Sequence, residues 1–131
     1  MASRKITDLS LAMRPMAELF IARCREEVLD VVIICTYRDQ VEQAAALASG
    51  ASEKKPGQSA HNQVDSQGHP AAEAFDVGVI RNGKYIGDWH DPDYALAGEI
   101  GESIGLQWSG RWPGKLREVG HFERSGWRED K

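Results

Sequence analysis

Two hydrophobic periods organise the chain. Leu9, Met13, Met16, Phe20, Cys24 and Val28 recur at three- and four-residue steps, which places them on one face and predicts an amphipathic first helix. Val31-Val32-Ile33-Ile34-Cys35 is continuous and β-branched and reads as a buried strand. Asp39 followed by Glu42 is a capping-box pattern, opening an alanine-rich helix that runs to about Ser49 and stops at Gly50. Phe75, Val77 and Val79 then alternate with Asp76, Gly78 and Ile80, the period of a strand. Asn82-Gly83 is a strong hairpin signal, so Lys84-Tyr85-Ile86 should return antiparallel. Asp91-Pro92 offers an N-cap and a first-turn proline to a helix carrying Leu96, Ile100 and Ile104 and ending at Gly105. Leu106-Gln107-Trp108 and Gly120-His121-Phe122-Glu123 read as short final strands around a Trp/Gly/Pro-rich loop. Residues 50–73 form a long polar loop, and a loop of that length inside a domain is usually functional or mobile.

Helices come first and the hairpin sheet later, which predicts an α+β fold: a small antiparallel sheet with helices packed on one side. The 131 residues fit a single domain, 1–131, large enough to bury a core without staples. Composition narrows the function classes. A net charge of −4 lacks the basic footprint of nucleic-acid binders. The longest apolar block, Val28–Cys35, is short and interrupted by Asp30, so stable membrane insertion is not expected. No apolar h-region follows the basic N-terminus, so no signal peptide is read. The two cysteines, Cys24 and Cys35, fall in hydrophobic patterns and read as small buried hydrophobes rather than a disulfide.

The chemistry concentrates in a few polar residues. His61, Asp76 and His121 can supply three protein ligands, and Glu118 lies three residues before the last imidazole. Three ligands plus water is the stoichiometry of a catalytic zinc site, whereas structural sites are closed by four. Asp76 sits within a strand, where a carboxylate is costly unless something charged compensates it. Alternation turns it away from Phe75 and Val77, towards the loop bearing His61. Spacing alone leaves solvated alternatives open for each residue. His69 and His90 read as solvated loop histidines.

The order of local motifs adds to this. Ser59-Ala60-His61-Asn62, then Ala72-Glu73-Ala74-Phe75-Asp76-Val77, then Glu118-Val119-Gly120-His121-Phe122 resembles the zinc D,D-peptidase/VanY-type family. Thr36-Tyr37-Arg38 after a strand and Trp108-Ser109-Gly110-Arg111-Trp112 narrow the resemblance to bacteriophage L-alanyl-D-glutamate endopeptidases, endolysins that cut the stem peptide of peptidoglycan. The resemblance runs from about Asp8 to Glu123. It implies a catalytic zinc in a groove on the sheet, held by His61, Asp76 and His121, with Glu118 as the base and Arg38 steadying the oxyanion. Ser59 matches a position near substrate, and Tyr37, Arg111 and Trp112 could line the groove, while Trp108 completes the core. Arg38 could instead pair with Asp39 or a C-terminal acid.

One departure stands out. The family pattern places the aspartate seven residues after the histidine, and here the separation is fifteen. Residues 63–70 are read as a surface insertion with anchored ends, which costs little in closure entropy; His69 within it is an alternative first ligand. The resemblance implies a monomer acting on the peptidoglycan stem peptide, made in the host cytoplasm and reaching the wall once released, as through a phage holin. Two rival functions remain: a D,D-carboxypeptidase or dipeptidase on D-Ala-D-Ala termini, and a catalytically inactive zinc-containing wall-binding module.

Overall fold

The computed structural model describes residues 2–50, 52, 54 and 57–128. In chain order it contains α1 (Met13–Glu26), β1 (Asp30–Cys35), α2 (Gln40–Ala48), β2 (Ala74–Arg81), β3 (Lys84–Tyr85), α3 (Pro92–Ser103), β4 (Leu106–Trp108) and β5 (His121–Arg124). Every strand pairing is antiparallel, in the order β1-β2-β5-β4, with β3 added to β2. The result, among the described residues, is an α+β fold of an open sheet with three α-helices.

Strand alternation divides the molecule into a packed face and a chemical face. Phe75, Val77 and Val79 of β2 turn to one side and are fully buried with Phe122 of β5 and Trp108 of β4. Against them pack Met13, Ala17, Phe20 and Cys24 of α1 and Tyr94, Ala97 and Ile100 of α3. Phe20 centres the layer, its ring 5.5 Å from Phe75 and 4.7 Å from Phe122. Burying each such ring contributes about 1.5–3 kcal/mol, so this layer, rather than helix propensity, fixes the sheet. Trp108 belongs to the core as expected and donates its indole N–H to Val119 O at 2.8 Å. Gly98 and Gly101 keep α3 close, since a Cβ at either would run into the ring of Trp108 or Phe122.

The local signals hold with small shifts. Asp39 and Glu42 form a complete capping box, and Asp91 caps α3 with Pro92 at its first position. Asn82 and Gly83 both take positive φ, 54° and 74°, as the two-residue hairpin requires. The first helix, however, begins at Met13 rather than Leu9, because Leu9 pairs with Ala72 as a parallel bridge. Val28 also leaves the stripe: it lies beyond the helix with φ 57° and is 95% exposed. β1 is a sheet edge and only its Val31 and Cys35 are buried, so a continuous apolar run misleads about burial on both faces. Helices α1 and α3 cover one side of the sheet; α2 is tied instead to the loop beyond it through Gln43.

The loop 50–73 falls partly outside the described residues, at 51, 53, 55 and 56. Its later part is well built. Residues 63–70 close on themselves: Val64 bridges Pro70, and Asp65 accepts from the backbone N–H groups of Gln67 and His69 at 2.9 Å each. Ala71 N–H donates to Gln63 O at 2.9 Å across the base. Both ends of the insertion are therefore pinned, and the turn Ala60–Asn62 keeps its place beside β2.

Candidate metal centre and cleft

On the chemical face of β2, Asp76 stands directly opposite His121 of β5. Side chains at paired positions share a face, which brings these two groups together although 45 residues separate them. On the other edge, β1 carries a bulge between Ile33 and Cys35, so Cys35 rather than Ile34 comes opposite Asp76. Ile34 then lines the cleft. His61 arrives from the turn Ala60–Asn62, whose N-cap Ser59 accepts the His61 N–H at 3.1 Å. Asn62 holds that turn to the neighbouring segment, donating to Arg38 O at 2.7 Å.

The two imidazoles converge on one oxygen. His61 Nε2 lies 3.1 Å and His121 Nδ1 2.8 Å from Asp76 Oδ1. Each ring is fixed through its other nitrogen: His61 Nδ1–H donates to Thr36 O at 2.7 Å, and His121 Nε2–H donates to Glu123 Oε1 at 2.8 Å. With those N–H groups committed, a neutral His61 and a neutral His121 both aim lone pairs at a carboxylate. That arrangement is repulsive without a cation or protons between them. The donor set, two imidazole nitrogens and a carboxylate oxygen, is one that holds zinc well, and outer-shell acceptors on both rings are the usual support of such ligands. Glu118 stands beside it, with Oε2 3.7 Å from His121 Nδ1. Cys35, His61 and Asp76 form one metal-capable group, and Asp76, Glu118 and His121 another, with Asp76 common to both. Cys35 Sγ is 3.7 Å from His61 Nδ1, the nitrogen already committed to Thr36, and lies within 4.8 Å of the Asp76 carboxylate.

Electrostatics describe the same cluster. Burial works against the charged forms, but the two imidazoles hold the Asp76 carboxyl well below the usual carboxylate range. Burial likewise disfavours charge on His61, yet Asp76 raises it well above the ordinary histidine value. For His121, hydrogen bonds to Asp76 and Glu123 outweigh burial and raise it to about 9. Glu118 keeps 46% of its side chain exposed, and its carboxyl is raised by the protein crowding it, against the pull of His121.

A pH dependence follows. Charge on His121 stabilises the metal-free fold fully below its ordinary value of about 6.5, and that contribution disappears as pH rises through about 9. Metal binding needs the same nitrogen deprotonated. Thermal melts of metal-free protein should therefore show falling stability from about pH 6.5 to 9, whereas zinc-loaded protein keeps its stability there. A metal-free melting temperature that is flat over this range would contradict the ion-paired cluster.

The cluster floors a cleft of about 460 Å³ whose lining includes Arg38, Ser59, His61, Asp76, Trp112, Glu118 and His121. Arg38 does not pair with Asp39; its guanidinium donates to Gln43 Oε1 at 2.9 Å, and the acids at 129 and 130 lie outside the described residues. Gln43 is fully buried and in turn donates to Ser52 Oγ and Lys54 O. Trp112 borders the site, its ring 5.8 Å from His121. Two groove residues expected from the sequence lie elsewhere. Tyr37 packs against the core, and Arg111 is drawn to Glu102 at 2.9 Å and over the Trp108 ring. Neither is among the residues lining the cleft. His69 is exposed beside Asp65, away from the cluster, while the exposed His90 stands on the cleft wall.

Glu123 escaped the sequence reading, although period-2 alternation places it on the same face as His121. It is buried, and its second oxygen accepts the Trp127 indole N–H at 2.7 Å. Replacing it by glutamine keeps the shape but weakens the acceptor for His121. Zinc affinity is expected to fall about 10–100-fold, as measured by competition with a chromogenic chelator. Unchanged affinity would remove Glu123 from the supporting shell.

Comparison with known proteins bears on the backbone. No family model and no curated protein matches this sequence. Solved structures do match. The L-Ala D-Glu endopeptidase ChiX of Serratia marcescens aligns over 100% of this chain and 93% of its own, with a TM-score of 0.74 and 16% identity. This chain has the fold of that endopeptidase. The LD-carboxypeptidase LdcB, whose structure concerns peptidoglycan recognition, aligns over 88% of this chain and 58% of its own, with a TM-score of 0.63 and 15% identity. Both likenesses rest on the arrangement of helices and sheet rather than on sequence, and the chemical face described above lies within the aligned chain.

Proposed function

We propose that this protein is a zinc-dependent peptidoglycan endopeptidase that hydrolyses the L-alanyl-D-glutamate bond of the stem peptide, serving as an endolysin in bacteriophage lysis. The observation that carries the reading is the convergence of His61 Nε2 and His121 Nδ1 on Asp76 Oδ1 with Glu118 beside them, on a backbone shared end to end with an L-Ala D-Glu endopeptidase. In this reading His61, Asp76 and His121 hold the zinc, which supplies Lewis acidity and a water of pKa near 7 when bound.

The chain's own groups carry the remaining chemistry. Glu118, beside His121, is placed to serve the attacking water. It takes the proton as the water oxygen bonds to the alanyl carbonyl carbon, then delivers it to the leaving amine as the C–N bond breaks. Its raised carboxyl suits a group that must both accept and return a proton. Arg38, held by Gln43, offers its guanidinium to the developing oxyanion. The enzyme works as a monomer on the cell wall, reached from the host cytoplasm once the inner membrane is breached. Among the described residues no helix is long and apolar enough to cross a membrane.

Digestion of purified sacculi followed by mass spectrometry tests the proposal. New N-terminal D-glutamate, or its amide, is the expected product. Release of terminal D-alanine would instead favour a carboxypeptidase, the activity named for LdcB or the D,D type. Zinc-loaded protein that sediments with sacculi yet releases nothing would favour a binding module.

A further inference from the structure

Beyond Asp76, the chemical face of β2 continues to an aromatic platform that the proposed chemistry does not use. Gly78 follows on the same face, and the Tyr85 ring lies so close over it that a Cβ there would collide with the ring. Trp89, in the loop between β3 and α3, lines the cleft with its ring 6.5 Å from Tyr85 and nearly perpendicular to it. Behind Trp89 stands Tyr94, 5.2 Å away. The loop is held at both ends. Tyr94 OH donates to Ile86 O at 2.6 Å, and Arg81 binds Asp91 and Asp93 at 2.7 and 2.6 Å. Trp89 is 48% and Tyr85 49% exposed, so a rigid pair of aromatic faces opens to solvent beside the metal ligands. Large apolar rings fixed in place but uncovered are an unusual expense for a surface and mark a binding site.

The opposite end of β2 has a different character. There Ala74 packs with Ala60 and Trp127, and the cleft runs on past Lys54 and Leu116 into a second depression bordered by Arg128. The cleft is therefore polarised along β2, aromatic beyond Gly78 and basic beyond Ala74.

We infer that Trp89, with Tyr85 beside it, is the subsite for the amino sugar to which the stem peptide is attached. This rests on the proposed endopeptidase reading. In that substrate L-alanine is joined by an uncharged amide to the lactyl ether of an amino-sugar pyranose, whose C–H face suits an aromatic ring. The residues after the scissile bond carry free carboxylates, which suit Lys54 and the rim guanidinium of Arg128, itself stacked on Trp127 and 3.9 Å from Glu123. Charge complementarity thus sets the direction in which the stem lies and directs the sugar to Trp89. The enzyme accordingly discriminates between stem peptides that carry their sugar and those already stripped of it.

The test compares kcat/KM on two soluble substrates, a stem peptide bearing N-acetylmuramic acid and the same peptide with a simple N-acetyl group. Wild type is expected to favour the sugar-bearing substrate. In Trp89→Ala that preference should fall about tenfold, chiefly through KM, the scale of a single aromatic contact. Trp89→Phe, which keeps a ring, should restore most of it and controls for folding. If Trp89→Ala lowers both substrates alike, or neither, the sugar subsite is wrong. If wild type cuts neither substrate, the bond assignment fails instead. The subsite is then read by titrating zinc-loaded protein with the two compounds: tighter binding of the sugar-bearing one, lost in Trp89→Ala, sustains it, and equal binding overturns it.

Discussion

Glu118→Ala is expected to abolish wall hydrolysis while leaving the fold and the bound metal in place. The side chain is 46% exposed and touches His121 Nδ1 only at 3.7 Å, so its removal opens no cavity in the core. In the proposed mechanism, what is lost is the acceptor that takes a proton from water and returns it to the amine. General acid–base groups contribute on the order of 10²–10⁴ in rate. A loss of that size should appear in kcat with dye release from labelled sacculi, while metal content by mass spectrometry and the melting temperature stay near wild type. The outcome discriminates between two roles, because Glu118 also belongs to a metal-capable group with Asp76 and His121. Loss of the metal together with activity would make Glu118 a ligand, and full activity would eliminate it as the base.

Asp76→Ala has the larger structural consequence. Its oxygen is the point on which both imidazoles converge, so its loss removes a proposed ligand and the counter-charge of two buried rings at once. Activity and stoichiometric zinc should both disappear. The metal-free variant should also unfold more readily at neutral pH, since breaking a buried ion pair by deleting one partner costs roughly 3–5 kcal/mol. Chemical denaturation of metal-free wild type and variant measures this directly. Asp76→Asn, which keeps the shape and removes the charge, should lose zinc affinity as well. Retention of zinc by Asp76→Ala at wild-type affinity would remove Asp76 from the metal site.

Much of this molecule is written locally. The capping box at Asp39, the hairpin at Asn82-Gly83, the start of α3 at Asp91-Pro92 and the alternation of β2 depend on neighbours within a few residues, and each appears where those residues demand. The polar candidates stood out for the same reason: Asp76 in an apolar strand and Glu118 before His121 are anomalies visible without coordinates. Legibility ended where a position depends on a distant partner. Whether Leu9 and Val28 extend α1, which residue of β1 opposes Asp76, and whether Tyr37 and Arg111 reach the cleft are settled by pairings and packing between remote segments.

The sequence by itself determined most of the elements and the α+β class, and it marked the polar residues that stand out in them, because periodicity, caps and turn chemistry act over one or two turns of chain. Only the tertiary structure decided that His61 Nε2 and His121 Nδ1 meet at a single Asp76 oxygen, that Glu123 and the Thr36 carbonyl fix their rings, and that the cleft runs between an aromatic and a basic end. Those facts rest on antiparallel register, a β-bulge and a pinned loop, and register is selected by the buried face of the whole sheet rather than by any residue's own preference.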